Sequence, residues 1–242
     1  MKTSTKTYIA LAIFALFILM PHKSEAAIFG IGKNNFCAKI PGIEEKIVSQ
    51  VDSFQAKREE DKPLISSKLE EAWQADKTQI EADRADADAR RALQIQALLE
   101  NAKNDAEKKA MNDFATSVDK AISDLRMAVD KATEDYQSSV KDLRDERLAG
   151  IDELIADYKS KISTSFAEIQ TKCGNSKEIE KTLRDEVDNL RITLKKNQEM
   201  YDSKIESIDT FEKTRQDAVV KAEATYTKSM KSAETALRKV VK

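Results

Sequence analysis

The sequence predicts an all-α protein: an elongated, antiparallel helical bundle or coiled coil with an eleven-residue repeat and three arms. Five blocks of eleven residues follow one another without a gap from 117 to 171, and the second residue of each block is β-branched: Val118, Val129, Val140, Ile151 and Ile162. Charged residues make up 35% of the chain and aromatic residues 6%. After Gly42 the chain has only two glycines and one proline. A composition rich in charge and poor in turn residues is typical of long helices.

The period of the repeat predicts how the helices pack. An apolar residue that returns every eleven positions corresponds to three helical turns of about 3.67 residues each. This spacing keeps one apolar stripe in line and favours a straight or gently right-handed supercoil. Over residues 106–242 the period resembles that of right-handed coiled coils, apolipoprotein-like lipid-binding helices and stress-related helical proteins. The chain shares a diagnostic motif with none of them.

The first 26 residues have the layout of a secretory signal peptide. Lys2 and Lys6 precede an apolar run over 8–20, and Ser24 and Ala26 supply small residues at the −3 and −1 positions of a cleavage site. The run is shorter than the roughly 20 residues that cross a bilayer. We therefore expect an exported protein that is periplasmic, cell-surface or secreted. Retention of residues 1–26 as an anchor is the alternative to cleavage.

Three arms follow from the turn signals. Residues 27–42 read as an irregular lead-in with Gly30, Gly32 and Pro41, and the helical pattern starts at Ile43. A kink or restart is expected at Pro63, with Asp61 as the N-cap. The predicted arms cover 43–102, 106–171 and 177–242, and the last two are joined by the turn at 173–178. An arm of this length is roughly 100 Å long at 1.5 Å per residue.

The connection between the first two arms allows two interpretations. One is a single helix from Pro63 to Thr171, roughly 160 Å long. The other is a turn near 101–105, where Asn104 followed by Glu107 has the spacing of a capping box. Only the second interpretation sends the first arm back along the other two.

The two cysteines favour the turn. Cys37 precedes the first arm and Cys173 lies in the turn between the other two arms, and an exported pair of cysteines predicts a disulfide. A disulfide requires Cα atoms within about 7 Å. In the continuous helix Pro63 would lie roughly 160 Å from that turn, whereas the residues back to Cys37 reach at most about 90 Å. A bridge between chains and reactive thiols are the alternatives.

The sequence predicts no catalytic, cofactor-binding or metal-binding residues. The single histidine, His22, lies in the signal peptide. Asp83, Asp86 and Asp88 lack the glycine and the ligand spacing of a calcium loop, so we expect a solvated helix face there. The tyrosines and Trp73 fall on or beside the apolar stripes and are expected in the core. The formal net charge of −2 gives no basis for binding nucleic acid.

Two functions of different kinds fit these features. The first is an exported, non-enzymatic structural or interaction protein: a spacer, scaffold or assembly subunit with a protein partner or with itself, without a small-molecule substrate or cofactor. The second is an envelope-associated binding module that holds lipids or unfolded client proteins between its arms. A secreted effector whose helices rearrange at a target membrane is a third possibility.

Overall fold

The protein is all-helical throughout the part of the chain that the computed structural model describes, residues 36–171 and 176–241. The helices are α1 (Phe36–Glu100), α2 (Asp105–Thr171) and α3 (Ser176–Arg238), and these ranges contain no strand. The predicted all-α class is therefore confirmed. The predicted signal peptide, most of the predicted lead-in and the centre of the turn at 173–178 lie outside the described residues.

Helix α1 begins earlier than the sequence indicates. Residues 36–42, predicted to be irregular, are helical, and Pro41 lies inside the helix. A Cβ added at Gly42 would meet nothing within 4 Å, so this glycine does not serve a close approach. Ile40 is fully buried, and its burial outweighs the unfavourable local propensity of Pro41 and Gly42. The prediction of a helix start at Ile43 was wrong for this reason.

The predicted restart at Asp61 was also wrong, because α1 continues through Pro63. An interior proline removes one backbone hydrogen bond and costs about 3 kcal/mol or more. Two residues just before it compensate, since Arg58 and Lys62 both bind Asp152 of α2. Contacts between helices hold this part of α1 in place despite the proline.

A capped turn separates α1 from α2, so the single helix over 63–171 is excluded. The side chain of Asn104 accepts a hydrogen bond from the Glu107 backbone N–H at 2.9 Å. The Glu107 carboxylate, 7% exposed, accepts one from the Lys103 backbone N–H at 2.9 Å. The return bond thus reaches one residue before the N-cap, a variant of the predicted capping box.

Contacts divide the chain into two compact units. The first unit comprises α1 up to Ala72 together with Arg144–Ser203, and the second comprises Trp73–Leu143 together with Lys204–Lys242. The core of the first unit joins the start of α1 to the end of α2. Its buried members are Ile40, Ile162, Phe166 and Ile169, with Ile43, Ile47, Val48 and Tyr158 packed against them.

In the second unit, α2 supplies most of the buried apolar residues. They are Met111, Val118, Ala121, Ala132, Val140 and Leu143, and α3 adds Ile208 and Ala233. Helix α1 contributes less, since every residue from 74 to 83 is exposed. Beyond Asp83 its half-buried residues include Arg84, Asp88 and Arg91, so polar side chains make much of its contact with α2.

Candidate functional site

The densest set of interacting polar side chains in the second unit lies between α1 and α2. Arg84, Asp88 and Arg91 are spaced four and three residues apart, so they share one face of α1. Opposite them α2 presents Asp119, Arg126 and Asp130. We call these six residues the charged ladder.

Two opposed ion pairs form its centre. Arg84 of α1 donates to Asp130 of α2 through Nη1 at 2.9 Å and Nη2 at 2.6 Å. Arg126 of α2 donates to Asp88 of α1 through Nη1 at 2.8 Å and Nη2 at 2.6 Å. Each pair has two parallel bonds, the geometry that gives a guanidinium and a carboxylate their strongest contact. Because each helix supplies one arginine and one aspartate, the two pairs fix the register of α1 against α2.

Arg91 extends the ladder. It contacts Asp88 of its own helix at 2.9 Å and Asp119 of α2 at 3.1 Å. The hydrogen bonds from Arg126, with help from Arg91, lower the pKa of Asp88 to about 2. The hydrogen bonds from Arg84 likewise lower the pKa of Asp130. Both carboxylates are therefore ionised at neutral pH, with both oxygens of each accepting hydrogen bonds from an arginine.

A second cross-link joins α1 and α2 within the first unit. Arg58 donates through Nη1 to Asp152 and through Nη2 to the Leu148 carbonyl at 2.6 Å. Lys62 Nζ binds the other oxygen of Asp152 at 2.9 Å. Burial raises the pKa of Asp152, but the hydrogen bonds from Lys62 and Arg58 outweigh it and the pKa is lowered overall. One aspartate of α2 thus binds two cations of α1.

The first unit has further polar contacts between the same helices. Lys159 of α2 pairs with Asp52 of α1 and donates to Gln55 at 2.7 Å. Ser163 donates to Glu44 at 3.2 Å. Beside them Tyr158 packs against the buried cluster, and its burial raises the pKa of its phenol. These contacts carry the antiparallel pairing of α1 and α2 to the start of α1.

The three aspartates that faintly resemble a calcium string do not converge. Asp83 accepts a hydrogen bond from Gln79 at 2.8 Å, Asp86 pairs with Arg90 at 2.9 Å, and Asp88 belongs to the ladder. Among the described residues no group of three or more possible metal ligands occurs.

Sequence reasoning missed the ladder, although a signal for it exists. Arg84 and Asp88 are four residues apart, and so are Arg126 and Asp130. When two helices are antiparallel, the arginine of each pair lies opposite the aspartate of the other, so the two pairs can bind each other. Helical periodicity within one segment does not contain the register that aligns them. The predicted solvated face holds for Asp83 and Asp86, which are exposed, and is wrong for Asp88, which is half-buried.

A groove of about 390 Å³ runs between α2 and α3 in the second unit. Five of its thirteen lining residues are alanines: Ala121, Ala128, Ala132, Ala218 and Ala222. Leu125 and Tyr226 complete the apolar lining, and Asp124, Lys131, Asp135 and Lys221 stand among its polar residues. All of the lining residues belong to α2 and α3.

The aromatic residues predicted for the core are half-buried. This holds for Trp73, Tyr136, Tyr158 and Tyr226, whereas the side chain of Tyr201 lies outside the description. The guanidinium of Arg215 on α3 lies 5.7 Å from the ring centre of Tyr136 on α2. That distance allows a cation–π contact between the two helices.

The predicted disulfide joins Cys37 to Cys173, and Cys173 lies outside the described residues. Cys37 lies in the first turn of α1. Ile40, three residues after Cys37, shares a buried cluster with Ile169, four residues before Cys173. The chain on either side is thus brought together, and the pairing of the cysteines stays a prediction.

No helix in the described ranges has an apolar stretch long enough to span a membrane. Comparison with protein-family models, with curated proteins and with solved structures finds no match to this chain.

Proposed function

We propose that the chain is an exported, non-enzymatic structural or interaction protein: a spacer, scaffold or assembly subunit built as an elongated three-armed helical bundle. The charged ladder carries this proposal. Its arginines and aspartates bind one another across helices instead of converging on a space where a substrate could react. Catalysis would require such convergence in a site that excludes water.

Helix length supports the elongated form. The three helices have 65, 67 and 63 residues, and each is about 100 Å long at 1.5 Å per residue. Within each unit, α1 and α2 run antiparallel and are linked by ion pairs such as Arg58–Asp152 and Arg84–Asp130.

The pattern of burial supports the eleven-residue repeat. Of the second residues of the five repeat blocks, four are buried and Val129 is half-buried. Phe211, Ala222 and Ala233 of α3 are also eleven residues apart, and none of them is exposed. One stripe on α2 and a shorter one on α3 therefore stay at least half-buried over several turns, as a period of 3.67 residues per turn predicts.

Sedimentation velocity on the exported protein tests the proposal. We expect the monomer, measured at low concentration, to have a frictional ratio well above that of a compact globule of equal mass. A ratio typical of a compact globule would contradict the spacer. Hydrolase or transferase activity that survives purification, and that is lost on substituting Asp88 or Asp152, would contradict the non-enzymatic assignment.

The groove between α2 and α3 favours one alternative, an envelope-associated module that holds lipids or unfolded clients. Its alanine walls would accept apolar chains. Flotation with vesicles of zwitterionic and of anionic lipid distinguishes the two functions. Binding to zwitterionic vesicles at physiological salt would favour the alternative, and no flotation with either composition would favour the scaffold.

A further inference from the structure

We propose that the groove between α2 and α3 binds the outer face of α1 from a second copy of this chain. This inference rests on the proposed function of an assembly subunit, and it names a second copy of the chain as the partner. The outer face consists of Asp86, Ala89, Arg90 and Leu93, all of which are exposed. It is turned away from the ladder residues Arg84, Asp88 and Arg91, because successive residues are about 100° apart around a helix.

Apolar shape is the first argument. Leu93 is 68% exposed, the highest value among the exposed large apolar residues of the described chain. Surrounded by alanines on α1, this leucine side chain protrudes from the helix and fills no cavity of its own chain. The groove offers the matching hole, with Ala121, Ala128 and Ala132 on one wall and Ala218 and Ala222 on the other. Small residues on both walls allow a third helix to approach closely.

Charge placement is the second argument, and it sets the direction of the incoming helix. Helices α2 and α3 are antiparallel here, since Tyr136 lies against Arg215 and the groove joins 121–135 to 218–229. Suppose that an incoming α1 lies antiparallel to α2 with Leu93 near Ala121. Asp86 is then about 10 Å further along, level with Ala128 and within about one helical turn of Lys131 and Lys221.

The same placement brings Arg90 of the incoming helix beside Asp124 on α2 of the copy that provides the groove. In this register Asp86 and Arg90 of the face meet groove residues of opposite charge, Lys131 and Lys221 for Asp86 and Asp124 for Arg90. The residues that would change partner form exposed pairs within their own helices: Asp86–Arg90 on α1, and Lys120–Asp124 and Lys131–Asp135 on α2. Such a pair contributes little to stability, so exchanging it for partners in the groove costs little.

The assembly that results is directional. The groove and the outer face are different patches of the second unit, so each copy can bind one neighbour through its groove and another through its face. A contact of this heterologous kind builds open chains or closed rings.

Light scattering across a concentration series tests the proposal. The face variant is Leu93→Glu, the groove variant is Ala128→Trp, and the control is Met127→Glu. Met127 is 61% exposed on α2 next to Ala128, yet it does not line the groove. We expect the wild type and the control to gain mass with concentration. Both variants should stay monomeric, with dissociation constants raised about tenfold or more, a difference of about 1.4 kcal/mol.

Mixing the two variants gives the sharpest result. Leu93→Glu keeps an intact groove and Ala128→Trp keeps an intact face, so their mixture should form one-to-one dimers and nothing larger. A wild type that stays monomeric, a mixture that stays monomeric, or a control as weak as the variants would overturn the proposal. So would wild-type flotation with lipid vesicles that Ala128→Trp abolishes, because lipid would then occupy the groove.

Charge reversal gives a second measurement. The double substitution Lys131→Glu with Lys221→Glu should weaken association about tenfold or more, and adding Asp86→Lys should restore it. Failure of Asp86→Lys to restore association would contradict the placement. The frictional ratio of the monomeric variants separates the two proposals: an elongated monomer retains the scaffold even where self-association fails.

Discussion

Arg126 of α2 and Asp88 of α1 form a doubly bonded ion pair, with Nη1–Oδ2 at 2.8 Å and Nη2–Oδ1 at 2.6 Å. The pair lowers the pKa of Asp88 to about 2, whereas an unfolded aspartate has a pKa of about 3.9. Because the folded value is the lower one, the stabilisation by Asp88 is complete above about pH 4 and is lost as the pH falls toward 2. We expect Asp88→Asn to lower stability at pH 7 and to flatten the pH dependence between pH 4 and 2.

Urea unfolding at several pH values, followed by circular dichroism, checks this prediction. Asp83→Asn is the matched control, since Asp83 accepts a hydrogen bond from Gln79 of its own helix and takes no part in the ladder. The control should retain the wild-type pH dependence. Equal flattening by both substitutions would show that the effect does not come from the ladder.

The cap of α2 makes a second prediction. Asn104→Ala removes the acceptor for the Glu107 N–H and should lower the free energy of unfolding by about 1 kcal/mol. Asn112→Ala, at an exposed position inside α2, should be neutral or stabilise slightly, because alanine is favoured in helix interiors. Equal losses in thermal unfolding for the two variants would contradict the role of Asn104 as a cap.

A third prediction concerns the core of the first unit. Ile169 is fully buried, so Ile169→Ala leaves a cavity and should cost about 2–5 kcal/mol. Ile192→Ala makes the same chemical change in the same unit, at a side chain that is 53% exposed, and should cost less than about 1 kcal/mol. Chemical denaturation measures both, and similar values would contradict the assignment of the core.

A fourth prediction concerns the cysteines. A non-reducing peptide map of the exported protein should contain a cross-link between Cys37 and Cys173 of one chain, because Ile40 and Ile169 share a buried cluster. Reduction should destabilise the protein by up to about 5 kcal/mol in the chain-entropy description of so long a loop. Free thiols, or a cross-link between two chains, would refute the intrachain bridge.

Features that depend on local signals can be predicted from the sequence, whereas features that depend on contacts between helices cannot. Asn104 and Glu107 act within one turn of chain, so the start of α2 could be predicted. Pro41 and Pro63 are local signals of the opposite kind, and they misled because Ile40 and Arg58 make contacts with α2 that keep α1 continuous. The charged ladder and the groove depend on how one helix is aligned with another, and periodicity along a single helix does not contain that alignment.

Small-angle X-ray scattering of the monomeric protein tests the central claim, an elongated bundle of side-by-side helices. A rod of about 100 Å has a radius of gyration of roughly 30 Å. A compact globule of the same chain length would give about 17 Å, and an unfolded chain about 50 Å. We predict a value close to 30 Å with a maximum dimension near 100 Å, and a value near 17 Å would contradict the account.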